Sequence, residues 1–192
     1  LSLAVTMLLM TFTASNLHWG GQNWLDIAEA DAQGYYSYLP AIFIYQDLNF
    51  GFFEEIEGKK GKYYEANNFY DYRNEFAGKK VNKYFIGTAV AQVPFFLIAH
   101  FLTYLSGGEA DGFSAFYMIS ISVAALFYLG LGLYFFNRLL QTYNISEINR
   151  GITIFACVFG TNLFCYAGAE LGMSHVFSFG IIATFLFYTK CY

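Results

Sequence analysis

The chain has 192 residues, of which 57% are apolar, 22% aromatic and only 12% charged, about half the charged share of a soluble domain. Seventeen of its 24 Asp, Glu, Lys and Arg residues fall between Asp26 and Lys83, so the composition implies one watery insert and a set of lipid-embedded segments. The net charge of −4, without a basic run long enough to follow a phosphate backbone, excludes a nucleic-acid role.

A membrane span needs about 20 mostly apolar residues. Five segments approach that length: 1–17, 85–105, 114–136, 151–169 and 175–189. In hydrocarbon each backbone amide has to be satisfied within its own segment, so all five are expected to be helical. The first lacks the charged start and small-residue cleavage site of a signal peptide and reads as a truncated first span, the chain being the front piece of a longer protein. Gly130, Gly132, Gly160 and Gly180 suit close helix contacts. The expected fold is therefore an all-α, multi-pass transmembrane helical bundle, with an extramembrane loop module, residues 18–84, between its first two apolar segments.

Within that insert, Asp31, Tyr35, Tyr38 and Leu39 share helical spacing, and Pro40 should kink or end the helix. Tyrosines at this place suit an aromatic belt on a helix lying along the membrane surface. Residues 54–80 alternate charge with Gly and Asn and read as loop with short elements, their charges forming a solvated face. Cys157, Cys165 and Cys191 form no CxxC pair and read as small core residues.

The loop charges conflict with a simple count of spans. The 137–150 connection, with Arg138 and Arg150, and Lys190 carry an inside signature, whereas the loop with Glu109 and Asp111 looks external. If 85–105 crosses fully, these sides are reversed. If the segment with Pro94 dips in and returns, the conflict disappears and residues 168–175 share a side with Asp31.

Ionisable groups beside apolar segments are costly to place there and are functional candidates by default. They are Asp31, Lys83, His100, Glu170 and His175, with His18 and Asp111 in loops. Asp31 either caps a helix through backbone N–H groups or takes a proton from a sugar hydroxyl. Lys83 either snorkels at the interface or neutralises a lipid phosphate. Glu170 and His175 lie five apart, about 140 degrees around a helix, and can converge as a metal pair only if Gly172 breaks that helix. His100 reads as a hydrogen-bonded interior histidine. Neither a nucleophile elbow nor a phosphate-binding loop pattern occurs.

"DAQGYYSYLP", then "NKYFIGTAVAQVPFFLIAH", "GLYFFNRLL" and "YAGAELGMSHVFSF" follow one another in an order that resembles the N-terminal part of a GT-C fold glycosyltransferase. The relatives are the dolichyl-phosphate-mannose-type protein mannosyltransferases and the bacterial aminoarabinose transferase-like enzymes. The resemblance implies that Asp31 is the catalytic base and that Lys83 binds the donor phosphate. Lys83 matches the family's Lys-Pro-Pro motif without its prolines, and His175 stands where the family often carries an acid. The implied activity is transfer of a sugar from a polyprenyl-phosphate donor to a glycan, lipid or protein acceptor at the external face of the cytoplasmic membrane. Tyr35, Tyr36 and Tyr38 would stack on the sugar or rest among headgroups, and Glu170 and His175 would assist with or without a divalent cation. The alternatives are a non-catalytic transporter, flippase or polymer-export component, and a structural membrane subunit.

Overall fold

The computed structural model describes residues 1–58, 61–63 and 70–192. Helix α1 spans Ser2–His18. A 3₁₀ turn, Asn23–Ile27, leads to the short helices α2 (Asp31–Tyr36), α3 (Tyr38–Phe43) and α4 (Phe53–Ile56). Strands β1 (Arg73–Phe76) and β2 (Lys79–Asn82) form an antiparallel hairpin, with Phe76 opposite Lys79. Then come α5 (Gly87–Leu105), α6 (Ala115–Thr142), α7 (Glu147–Phe159), α8 (Leu163–Gly168) and α9 (Ser174–Cys191).

The chain is mostly helical, and the hairpin corrects the all-α expectation. Its turn is Ala77-Gly78, both at positive φ (50° and 75°), the backbone of the tight two-residue turn that matches strand twist. Part of the 54–80 stretch, residues 59–60 and 64–69, lies outside the described residues. The expected helix through Pro40 is two short helices meeting at Ser37, and Pro40 itself sits in the first turn of α3, where its missing N–H costs nothing. The 151–169 segment is likewise divided, between α7 and α8 at residues 160–162.

Helix α6 is the axis of the molecule. α9 runs parallel to it, so that Tyr128 meets Phe177 and Phe135 meets Tyr188. The two backbones come close enough that a Cβ on Gly180 would lie 2.6 Å from the Tyr128 carbonyl oxygen, and one on Gly132 would lie 3.0 Å from the Gly180 Cα. α5 runs antiparallel to α6, pairing Phe95 with Phe127 and His100 with Tyr117.

The helix ends sort into two groups. At one end His18 Nε2 meets the Gly168 carbonyl (3.1 Å), Gly172 lies against Ala32 and Ile27, and the insert gathers. At the other, Gly151 lies against Ser2, Arg150 donates to Asn137 (3.1 Å) and Lys190 sits over the Tyr143 ring. Residues 168–174 thus share a side with Asp31.

Two helices, α5 and α6, are long and apolar enough to cross a membrane. Both ends of α5 abut the same insert. Before it, the Tyr84 carbonyl accepts from the Tyr38 hydroxyl (2.7 Å). After it, Asp111 takes bonds from Tyr45, Tyr63 and Lys62, and the Gly112 carbonyl takes one from Tyr36. Between these anchors Phe96 packs on Tyr36 and Phe43. The outward faces of α1, α5 and α9 leave Leu8, Phe12, Ile98, Phe101, Ile182 and Phe185 exposed, an apolar area of the kind that meets lipid or a partner.

A side chain at Gly180 has nowhere to go. Gly180→Leu is expected to lower stability by about 1–3 kcal/mol through overpacking. The check is a thermal midpoint in detergent, with Gly20→Leu, where an added Cβ meets nothing within 4 Å, as the comparison.

Candidate functional site

Asp31 opens α2 immediately after Ala30, whose backbone (φ 48°, ψ −120°) lies outside the well-populated regions for a residue with a Cβ. Among the described residues its carboxylate accepts no backbone N–H. The hydrogen bonds it does accept from them come from phenols and fall on Oδ1, from Tyr70 at 3.2 Å and from Tyr84. Among the described residues none reaches Oδ2. Asp31 is thus an acid in the first turn of α2 whose carboxylate is oriented by two tyrosines.

Tyr84 holds this cluster. Its hydroxyl also meets that of Tyr70, its ring packs on Tyr35 (centroids 4.9 Å apart), and its backbone N–H donates to Asn82 Oδ1 (2.9 Å). The ring lies directly over Gly34, where any Cβ would collide with it. Burial first, then the bonds with Asp31 and Tyr70, raise its ionisation well above the usual phenol range, so it stays a donor. Lys83 belongs to the same cluster. Its Nζ stands 4.4 Å from the Tyr70 ring centre and donates to the Asp71 carbonyl (2.9 Å), a cation held on an aromatic face rather than one snorkelling alone.

Of the tyrosines expected to form a belt along a membrane surface, Tyr36 is turned inward instead, while Tyr35 and Tyr38 are half-buried. Tyr36 is 1% exposed and its hydroxyl is spent on Gly112. Tyr38 is bonded to Tyr84, and Tyr35 packs on the same ring. The spacing was legible, but an aromatic at that spacing serves a protein core as well as an interface.

A cavity of about 180 Å³ lies between Ala30 and Ala32, the chain neighbours of Asp31, on one wall and Ala169, Glu170 and Met173 on the other, with Asp26 and Glu29 at its edge; Asp31 itself does not line it. Burial, then the Asp26 charge, pushes Glu29 up, with His18 opposing. Glu170 thus comes to the Asp31 side as expected, but His175 does not join it. His175 is exposed and stacks on Tyr166 at 3.9 Å, and no hydrogen bond or ion pair links it to Glu170. Among the described residues no group of three His, Cys, Asp or Glu side chains is arranged to hold a metal ion. His100 Nδ1 meets the Tyr117 hydroxyl at 2.6 Å, the bonded interior histidine its setting implies.

Sequence reasoning missed Tyr70 and Tyr84. Tyr84 stood in plain view after Lys83, but nothing in its spacing points back 53 residues to Asp31. Behind the cluster lies a second group it depends on. Tyr72 is fully buried and donates to Glu57 Oε2 (2.7 Å), and its carbonyl accepts from the Lys83 N–H (3.1 Å). Arg73 spans Asp71 and Glu54 over the Phe53 ring. These bonds fix the segment that presents Tyr70 and Lys83.

Comparison with known protein families, curated proteins and solved structures finds no match for this chain.

Burial pushes the Glu57 carboxyl up to about 8 against the opposing effects of Tyr72 and Arg73. The folded state thus holds a proton that the unfolded chain, near 4.5, releases. Its contribution is full below 4.5 and is lost as pH rises through about 8. Glu57→Gln keeps the shape and removes the titration. Thermal midpoints of the variant are expected to fall less than those of the wild type between these two pH values, and parallel curves would contradict the assignment.

Proposed function

We propose that the chain is the front part of a multi-pass membrane glycosyltransferase that moves a sugar from a polyprenyl-phosphate donor to an acceptor hydroxyl at the external face of the cytoplasmic membrane. The observation that carries this reading is one cluster in which Asp31 is fixed through Oδ1 by the phenols of Tyr70 and Tyr84 and the cation of Lys83 lies over the Tyr70 ring. Asp31 Oδ2 takes the acceptor's proton. The acceptor oxygen attacks the anomeric carbon with inversion, and the bond from that carbon to the phosphate oxygen breaks. The lipid phosphate leaves with the electron pair, its charge offset by Lys83. Glu170, across the cavity from Ala32, is available to bind the sugar or the acceptor.

In this reading α1, α6, the α7–α8 pair and α9 cross, while α5 lies against the insert and returns. The tyrosine contacts at both ends of α5 favour that arrangement. It also removes the charge conflict, since Glu109 and Asp111 fall outside with the insert and Arg138, Arg150 and Lys190 fall inside. The exposed apolar faces of α1, α5 and α9 would meet lipid.

Two experiments test the proposal. In the full-length protein, Asp31→Asn is expected to slow transfer from the lipid-linked sugar by about 100-fold or more, with helix content unchanged. Transfer at the wild-type rate would remove Asp31 as base and favour a non-catalytic membrane role. For the topology, single cysteines at Gly108 and Ser146 are placed in a chain with Cys157, Cys165 and Cys191 replaced by Ser. Gly108→Cys should react with an impermeant maleimide in intact cells, and Ser146→Cys only after permeabilisation. Labelling of both from one side would sink the arrangement.

A further inference from the structure

A second cavity, about 280 Å³, lies between the first turns of α5 and α9, lined by Gly87 and Thr88 of one and by Ser174 and Ser178 of the other. These are long helices, 19 and 18 residues, and neither has a side-chain cap or an acid in its first turn. Each leaves its first N–H groups without partners within the helix, at the positive end of its dipole. No carboxylate lines the cavity.

Independent of the helix ends, Thr88 is only 8% exposed, lines this cavity, and its hydroxyl makes no hydrogen bond among the described residues. A hydroxyl on a mostly buried side chain that faces a cavity without a protein partner is free to bond what enters it. Other helical threonines here, Thr13, Thr103 and Thr184 among them, donate to the carbonyl four residues back. For Thr88 that carbonyl belongs to Tyr84, ahead of the first helical residue Gly87, and it accepts from Tyr38 instead. One turn further along the same face, Gln92 is 1% exposed with both amide atoms unpartnered. The rim is apolar and outward, with Phe85 89% exposed and Ile181 beside it. Tyr35 forms another wall and packs on Tyr84, which bonds Asp31, so a single ring separates the cavity from the carboxylate cluster.

We infer that this cavity binds the phosphate group of a membrane lipid, held by the two helix N-termini and the hydroxyls of Thr88, Ser174 and Ser178, with the lipid chain leaving over Phe85 and Ile181. Anions are favoured where backbone N–H groups converge. This cavity is separate from the place at Lys83 where the transfer reading puts the leaving phosphate, and the inference rests on that reading only for naming a polyprenyl chain as one source of the bound phosphate; a glycerolipid headgroup is the other.

The test measures binding of a short fluorescent polyprenyl monophosphate, and of the matching polyprenol, to the full chain in a phosphate-free maltoside detergent. The phosphate form is expected to bind about tenfold or more tightly than the alcohol, the difference made by charge-assisted bonds. Thr88→Val with Ser174→Ala should abolish that difference, and Thr88→Ser alone should preserve it. Equal binding of phosphate and alcohol, or a phosphate preference that survives the double variant, overturns the inference. With the preference present, phosphatidic acid that displaces the probe at equal concentration assigns the site to headgroups, and failure to displace assigns it to the polyprenyl chain. Asp31→Asn is expected to leave this binding in place while removing transfer, so failure of the phosphate site and failure of the base assignment are read separately.

Discussion

The contact on which the rest of the insert depends is the phenol of Tyr84 on Asp31. Tyr84 sits between the hairpin and α5, so this one side chain ties three parts of the chain together. Its ring covers Gly34 and packs on Tyr35, its carbonyl takes the Tyr38 hydroxyl, and its own hydroxyl reaches Asp31 and Tyr70. A carboxylate beside burying rings needs donors to stay charged, and here the donors are aromatic side chains that also supply the packing. The tyrosine-rich composition of the insert has this use: each phenol gives apolar area and one directed hydrogen bond.

The same economy fastens α5. An apolar helix of 19 residues satisfies every compositional test for a span, yet its two flanks are sewn to the insert by Tyr38 and Tyr84 at one end and by Tyr36, Tyr45, Tyr63 and Lys62 at the other. Length and hydropathy describe what a helix can do in lipid. Where its ends are held is a separate constraint, and here the insert holds both. α5 thereby forms a wall from Thr88, beside the α9 N-terminus, to Phe96, beneath α2 and α3.

Much of this was readable in the sequence, for physical reasons that can be named. The apolar segments gave α1, α5, α6 and α9 because hydrophobic length constrains helices directly. Asp31 stood out because a charge beside lipid is expensive, and the 168–175 segment was brought to its side by the sign of a few loop charges. What was hidden depends on partners distant in sequence. No period announces that Tyr84 reaches Asp31, that Tyr36 turns inward to Gly112, or that Glu57 and Tyr72 meet in a dry interior. The hairpin at Ala77-Gly78 was obscured by the charges around it, since β1 and β2 are mostly exposed and lack the apolar alternation that marks a half-buried strand. The pairing of Glu170 with His175 was offered by proximity in sequence and is not made in space.

The central claim is that Tyr84 and Asp31 act as one unit in moving a proton. A double-mutant cycle on transfer from the lipid-linked sugar, with Tyr84→Phe, Asp31→Asn and the pair, measures this directly. If the phenol works by orienting the carboxylate, Tyr84→Phe slows transfer in the wild-type background and has no further effect once Asp31 is Asn. Independent, multiplying losses from the two changes would contradict the account.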